Sequence, residues 1–177
     1  MNAIIERGFV LAVCRKSDPG LPKIEVDAIR LVENLGVAGD YHSGEFVRHR
    51  YLAKKDPTKP NLRQVLLVDT GMHADISARG IVIGPGMLGE NVLLEGIRVM
   101  GLPIGTRLEL GEALLQLTEV RNPCYQLNEI DPRLLKAVAY KSNGQVYRNA
   151  GMMGRILSGG WVRPGDRVVV RIDADQA

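Results

Sequence analysis

Short apolar runs punctuated by glycine and proline constrain this chain more than any other feature. Turn-and-strand units recur at Leu102–Gly105, Gly111–Glu112 and Asn122–Pro123, roughly ten residues apart, a rhythm that argues for a β-barrel or a β-sandwich. Phe9–Cys14 reads as a strand with Val10, Ala12 and Cys14 on one face. Residues Ile24–Val32 alternate Ile24, Val26 and Ala28 with Glu25, Asp27 and Arg30, the pattern of a half-buried strand. Arg63–Val68 and Ala113–Val120 are further strands, and Asp166–Ile172 closes the series with Val168, Val170 and Ile172 on one side. Two helices are predicted. Thr70–Arg79 has Asp69 or Thr70 as its cap and Gly80 as its stop, and Asp131–Val138 opens with Asp-Pro. The stretch Val146–Leu157, interrupted by Gly151 and Gly154, reads as a strand bent by glycine.

The densest chemistry follows Ala113–Val120, at Arg121-Asn122-Pro123-Cys124. Proline ends the strand because it cannot donate to the ladder. It also fits the first position of a helix, with Asn122 as N-cap, which would put Cys124 in the first turn. Free N–H groups there and the nearby Arg121 favour a thiolate, the form that attacks sulfur or binds a soft metal. A cysteine that simply packs is the alternative.

Around this cysteine the chain resembles the MOSC family, the domain named after the C-terminal part of molybdenum cofactor sulfurases. The resemblance covers roughly residues 35 to 170. It is carried by Gly36-Val37-Ala38-Gly39-Asp40-Tyr41-His42, Arg63-Gln64-Val65-Leu66-Leu67 and Gly86-Met87-Leu88-Gly89-Glu90-Asn91-Val92, then by Leu102-Pro103-Ile104-Gly105-Thr106 and Gly111. Arg121–Cys124 and Gly159-Gly160-Trp161-Val162-Arg163-Pro164-Gly165-Asp166 complete it. The resemblance implies a mainly β fold: a closed β-barrel of complex topology, like the pyruvate kinase barrel, with two or three short helices. It also implies that molybdenum cofactor (molybdopterin) is bound, with Cys124 as catalytic sulfur carrier or molybdenum ligand. Asp40, His42, Arg63, Glu90, Asn91 and Arg121 become candidate cofactor-binding residues.

The residues themselves leave these roles open. In an extended segment Asp40 and His42 would share a face, so that the carboxylate orients the imidazole; the plain alternative is a turn with a satisfied histidine. Glu90 and Asn91 supply an acceptor and an amide that can read the edge of a pterin-like heterocycle, or they are polar residues of an edge strand. Arg48, His49, Arg50, Lys54, Lys55, Lys59 and Arg63 fall within residues 48–63, opposed there only by Asp56, and most of them lie in a stretch, Ser43–Asn61, that reads as a long loop. That loop is either a solvated surface or a basic lip over an anionic ligand.

Composition bounds the partners. A length of 177 residues suits a single domain, 1–177, and 23 basic against 20 acidic residues is too even for a nucleic-acid footprint. No apolar run approaches the ~18 residues of a membrane span, and the first residues lack the pattern of a signal peptide. A cytoplasmic protein is expected, with neither a nucleic acid nor a membrane as partner. Two cysteines cannot make a disulfide framework or a four-thiolate cluster, though one Cys14–Cys124 bridge is left open. His42, His49 and His73 have no finger-like spacing, which argues against a zinc site with Cys124.

Three functions compete. The first is an oxidoreductase that reduces a small N-hydroxylated substrate, with Cys124 on molybdenum and electrons from a redox partner. The second is a sulfur carrier that uses a Cys124 persulfide for cofactor or cluster sulfuration, supplied by a cysteine desulfurase in trans. Pyridoxal phosphate is not expected on this chain, since 177 residues are already occupied by the barrel. The third is a non-catalytic pterin- or anion-binding module.

Overall fold

A computed structural model of the protein describes residues 3–172. Its centre is a closed ring of seven strands. β1 (Ala3–Arg15) pairs antiparallel with β13 (Arg167–Ile172) on one side and β6 (Val92–Glu95) on the other. From β6 the ring continues through β5 (Val65–Asp69), β11 (Met152–Ser158), β8 (Ala113–Val120) and β7 (Arg107–Leu110), and β7 returns to β13. Closure removes the unpaired edges an open sheet would present. The β5–β6 pair is parallel. Parallel neighbours need a crossover, and α2 (Thr70–Ser77) lies within it. Asp69 caps this helix by accepting from Met72 N–H at 2.9 Å, and its other oxygen accepts from Val99 N–H at 2.9 Å.

The alternation seen in the sequence becomes the barrel interior. Along β8, Ala113, Leu115 and Leu117 are buried; along β13, Val168, Val170 and Ile172 are. They meet Val10, Val13, Leu67, Leu94 and Leu108 in one core, each full burial of such a side chain contributing roughly 1.5–3 kcal/mol. The expected mainly β barrel with short helices is the fold observed. No helix among the described residues is long and apolar enough to cross a membrane.

Four local expectations change. The predicted strand Ile24–Val32 is two: β2 (Ile24–Val26) pairs with β1, whereas β3 (Ile29–Val32) joins a separate sheet with β4 (Gly36–Val37) and β12 (Gly160–Val162). The break between them lets one run serve two sheets. The bent strand Val146–Leu157 is likewise divided, at Gly151, whose φ of +101° suits glycine. Before it, β10 (Gln145–Arg148) folds back on β9 (Ala139–Ser142) around Asn143-Gly144, with φ of +49° and +78°, an Asn-Gly hairpin turn. The helix expected from Asp131 starts only at Leu134 (α3, Leu134–Val138), because Asp131 Oδ1 accepts from Arg133 N–H at 2.8 Å and holds Pro132 in a turn. Finally, the long loop contains a helix, α1 (Arg50–Lys55), and a bridge between Phe46 and Pro60.

Candidate functional site

Several connections converge on one mouth of the barrel and enclose a cavity of about 290 Å³. The β1–β2 connection contributes Leu21 and Lys23, the turn after β4 contributes Tyr41 and His42, and the segment around α1 contributes Arg48, His49 and Tyr51. Gly89 and Asn91 enter ahead of β6, and Arg121, Cys124 and Tyr125 follow β8. Of the candidate residues read from the sequence, His42, Arg63, Asn91, Arg121 and Cys124 share this wall. Asp40 and Glu90 are buried behind it.

Cys124 is half-buried and differs from expectation in detail. The chain stays extended through it (φ −121°, ψ 169°), and it is itself the N-cap of a 3-10 turn, Tyr125–Glu129, rather than a residue of an α-helical first turn. Leu127 N–H closes that turn on the Cys124 carbonyl at 3.2 Å and carries Leu127 into the core. The nearest polar partner of the sulfur is Gln126 Oε1 at 3.4 Å. Cys14 is the contrast: fully buried, with its thiol pushed up to about 12, first by burial and then by the charges of Glu90 and Glu25. Both cysteines are free.

Arg121 gives the cavity its electrostatic character. Its side chain is only 8% exposed, yet the guanidinium makes one long hydrogen bond, 3.5 Å to the Ala150 carbonyl, and has no carboxylate within ion-pair distance among the described residues. Burial lowers its pKa to about 10, the charges of Cys124 and Glu90 push it back up, and Arg63 opposes them. Two other cations of the wall are paired with carboxylates. Lys23 Nζ lies 2.8 Å from Asp40 Oδ2, and Arg63 Nη1 donates to Glu119 Oε1 at 2.8 Å. His49 adds a buried Nδ1 with no hydrogen-bond partner; burial first, then Arg63, His42 and Arg121, lower its pKa. A buried guanidinium without a carboxylate partner leaves donors that an anion could satisfy.

Asp40 lies just beneath the surface as a hub. Its Oδ1 accepts from His42 N–H at 3.0 Å and lies 3.4 Å from His42 Nδ1. Its Oδ2 meets Lys23 Nζ, Asn91 Nδ2 at 3.1 Å and Lys16 N–H at 3.3 Å. Burial alone would raise this carboxyl, but the His42 and Lys23 contacts outweigh it and hold the group well below the usual carboxylate range. The Asp40–His42 pair is therefore a turn, not an extended segment, and the carboxylate still faces the ring. Lys23 was not visible in the sequence: it follows a Leu-Pro turn, and its partner comes 17 residues later in the turn after β4.

Two candidates are spent on the protein itself. Glu90 accepts from Gly86 N–H at 2.9 Å and Leu88 N–H at 3.1 Å, which closes the turn carrying Gly89. His73 Nε2 is 3.3 Å from its Oε1, too poorly aligned for a hydrogen bond. Asn91 reaches the cavity wall, but its amide donates to the Cys14 carbonyl and to Asp40, and its oxygen accepts from Leu66 N–H at 3.2 Å. Neither residue has a donor left for a heterocycle edge. Of the predicted basic lip, Arg48, His49 and Arg63 face the cavity, whereas Lys54, Lys55 and Lys59 are exposed away from it.

A family model described as the MOSC domain matches residues 39–169. No curated protein matches the chain. Among solved structures it is similar to the YuaD protein from Bacillus subtilis, at 20% identity and a TM-score of 0.79, covering 98% of this chain and 100% of that one. It is also similar to YiiM from Escherichia coli, at 19% identity and a TM-score of 0.63 over 94% of this chain and 71% of that one. YiiM from Geobacillus stearothermophilus aligns at 18% identity and a TM-score of 0.58, over 98% and 76%. Likeness at these identities is a likeness of fold.

Proposed function

The chain belongs to the MOSC domain family, which is associated with molybdenum cofactor, and from that premise we propose that it is an oxidoreductase that reduces N-hydroxylated substrates in the Cys124 cavity. The observation that carries this reading is the buried, uncompensated Arg121 guanidinium on the same wall as a half-buried thiol. A phosphorylated pterin with a soft metal needs both: a cation for its phosphate at one end and a thiolate for its metal at the other.

The residues present fit such a group. Arg121, with Arg63 and His49 beside it, would hold the phosphate; Cys124 would ligate molybdenum. Gly89 lets the backbone come close, since a Cβ there would lie 2.6 Å from Leu21 and 3.8 Å from Arg121 Nη2. When bound, the cofactor supplies two-electron transfer at a metal with an open position. The chain supplies the rest. Tyr41, Tyr51 and Tyr125 line the mouth as flat apolar surfaces, and Leu66 and Met153 form an apolar floor. Electrons come from a redox partner.

A second reading, a sulfur carrier, is favoured by the position of Cys124 beside the exposed Asn122 and Tyr125, where a partner's persulfide can reach it. The thiolate would take the outer sulfur of a donor persulfide, the donor leaving as its own thiolate. Metal analysis separates the two. Protein made in a cofactor-producing host should carry molybdenum, and protein from a cofactor-deficient host should not. Absence of molybdenum from both, with a persulfide labelled at Cys124, would replace the first reading with the second.

A further inference from the structure

We propose that His42 is the proton donor to the departing hydroxyl of the substrate, with Asp40 as its positioning residue; the assignment rests on the reductase reading above. The geometry sets a fixed carboxylate beside the imidazole. Asp40 is fixed on one oxygen by Lys23 at 2.8 Å and Asn91 at 3.1 Å, and its other oxygen faces His42 Nδ1 at 3.4 Å. The same oxygen takes the His42 N–H at 3.0 Å, so the turn and the ring are held together. The ring is 41% exposed and lines the cavity, and its Nε2 has no protein partner among the described residues. A carboxylate on Nδ1 sets the tautomer and stabilises the imidazolium, leaving Nε2–H to act.

The other groups on the wall are less suited. Arginine does not give up a proton, Lys23 is tied to Asp40, and Cys124 is assigned to the metal. His49 is surrounded by Arg63, His42 and Arg121, which disfavour its protonated form. The groups facing His42 are Asp40, Tyr41 edge-on at 5.2 Å, His49, and Asn61, which donates to the His42 carbonyl at 3.0 Å. Asp40, with its carboxyl held low by the His42 and Lys23 contacts, keeps its negative charge beside the ring.

In the step, the N–O bond of the N-hydroxylated substrate breaks. The oxygen takes the proton from His42 Nε2 and leaves as water. Two electrons from the electron-transfer partner and a second proton, from solvent, complete the amine nitrogen. Solvent at the exposed edge then returns a proton to His42.

The test uses molybdenum-loaded His42→Ala protein with a reduced viologen as electron donor and an N-hydroxylated aromatic amine as substrate. We expect unchanged molybdenum content, kcat down by about 10²-fold or more with KM little altered, a changed pH profile, and partial rescue by added imidazole. In molybdenum-free protein, Asp40→Asn should alter the His42 tautomer seen in ¹⁵N spectra. If wild type turns over and His42→Ala is as fast, or is slow without rescue and with an unchanged pH profile, this assignment alone falls. If molybdenum-loaded wild type reduces no such substrate, the reductase reading falls and the assignment with it.

Discussion

The Lys23 ammonium and the Asp40 carboxylate form a buried ion pair, 2.8 Å from Nζ to Oδ2, with side chains 5% and 2% exposed. It ties the β1–β2 connection to the turn that presents His42, so one interaction fixes two walls of the cavity. Breaking a pair of this kind leaves a lone buried charge, at a cost of about 3–5 kcal/mol.

Asp40→Asn should therefore lower stability by roughly that amount at pH 7, read from urea unfolding. The pH dependence has a definite sign. The Asp40 carboxyl titrates lower in the folded than in the unfolded chain, so its contribution is complete above the unfolded value of about 4 and is lost as pH falls towards the folded one. The gap between wild type and Asp40→Asn should narrow below pH ~4; a constant gap would show that Asp40 does not act through its charge.

The two cysteines should separate cleanly. Cys14 is fully buried, with its thiol pushed up to about 12, whereas Cys124 is half-buried on the cavity wall. Iodoacetamide followed by peptide mass spectrometry should modify Cys124 quickly and Cys14 only on unfolding. Equal rates would mean that the Cys124 wall is closed.

Arg121 and Arg63 should contribute unequally to anion binding. Arg63 is already paired with Glu119, whereas Arg121 is uncompensated. Calorimetric titration with pyrophosphate should show Arg121→Met weakening binding roughly tenfold, about 1.4 kcal/mol, with a smaller loss for Arg63→Ala. Wild-type affinity should fall as salt rises. Equal losses would move the anion site away from Arg121.

Glu90→Gln should cost stability rather than binding. Its carboxylate holds two backbone N–H groups, and hydrogen bonds to a charged acceptor contribute about 1.5–3 kcal/mol each. A lower unfolding midpoint with unchanged pyrophosphate affinity is expected. Weaker binding at unchanged stability would return Glu90 to the site.

What the sequence made legible follows from the range of the interactions. Alternation in Ala113–Val120 and Asp166–Ile172 depends on neighbours two apart, and both strands formed as read. The Asp69 cap is equally local, although the helix ends at Ser77, with Ala78 as its C-cap, two residues short of the predicted end. The Cys124 neighbourhood and the Asp40–His42 pair stood out because their residue types are unusual together. Lys23 did not, since its role depends on a partner from a distant turn. Glu90 and Asn91 looked like ligands because polar residues beside an apolar run are conspicuous; the backbone groups that claim them, Gly86 and Leu88 N–H, Leu66 N–H and the Cys14 carbonyl, are set by the turn at Gly86–Gly89 and by strands distant in sequence. The Asn143-Gly144 hairpin was a local signal left unread beside the more prominent glycines of 151–154.

The central claim is that Cys124 ligates molybdenum in this cavity, and X-ray absorption at the molybdenum edge tests it most directly. Wild-type and Cys14→Ser protein should show the same sulfur shell, and Cys124→Ser should lose one sulfur neighbour, or the metal altogether. An unchanged sulfur shell at full molybdenum content in Cys124→Ser would contradict the account.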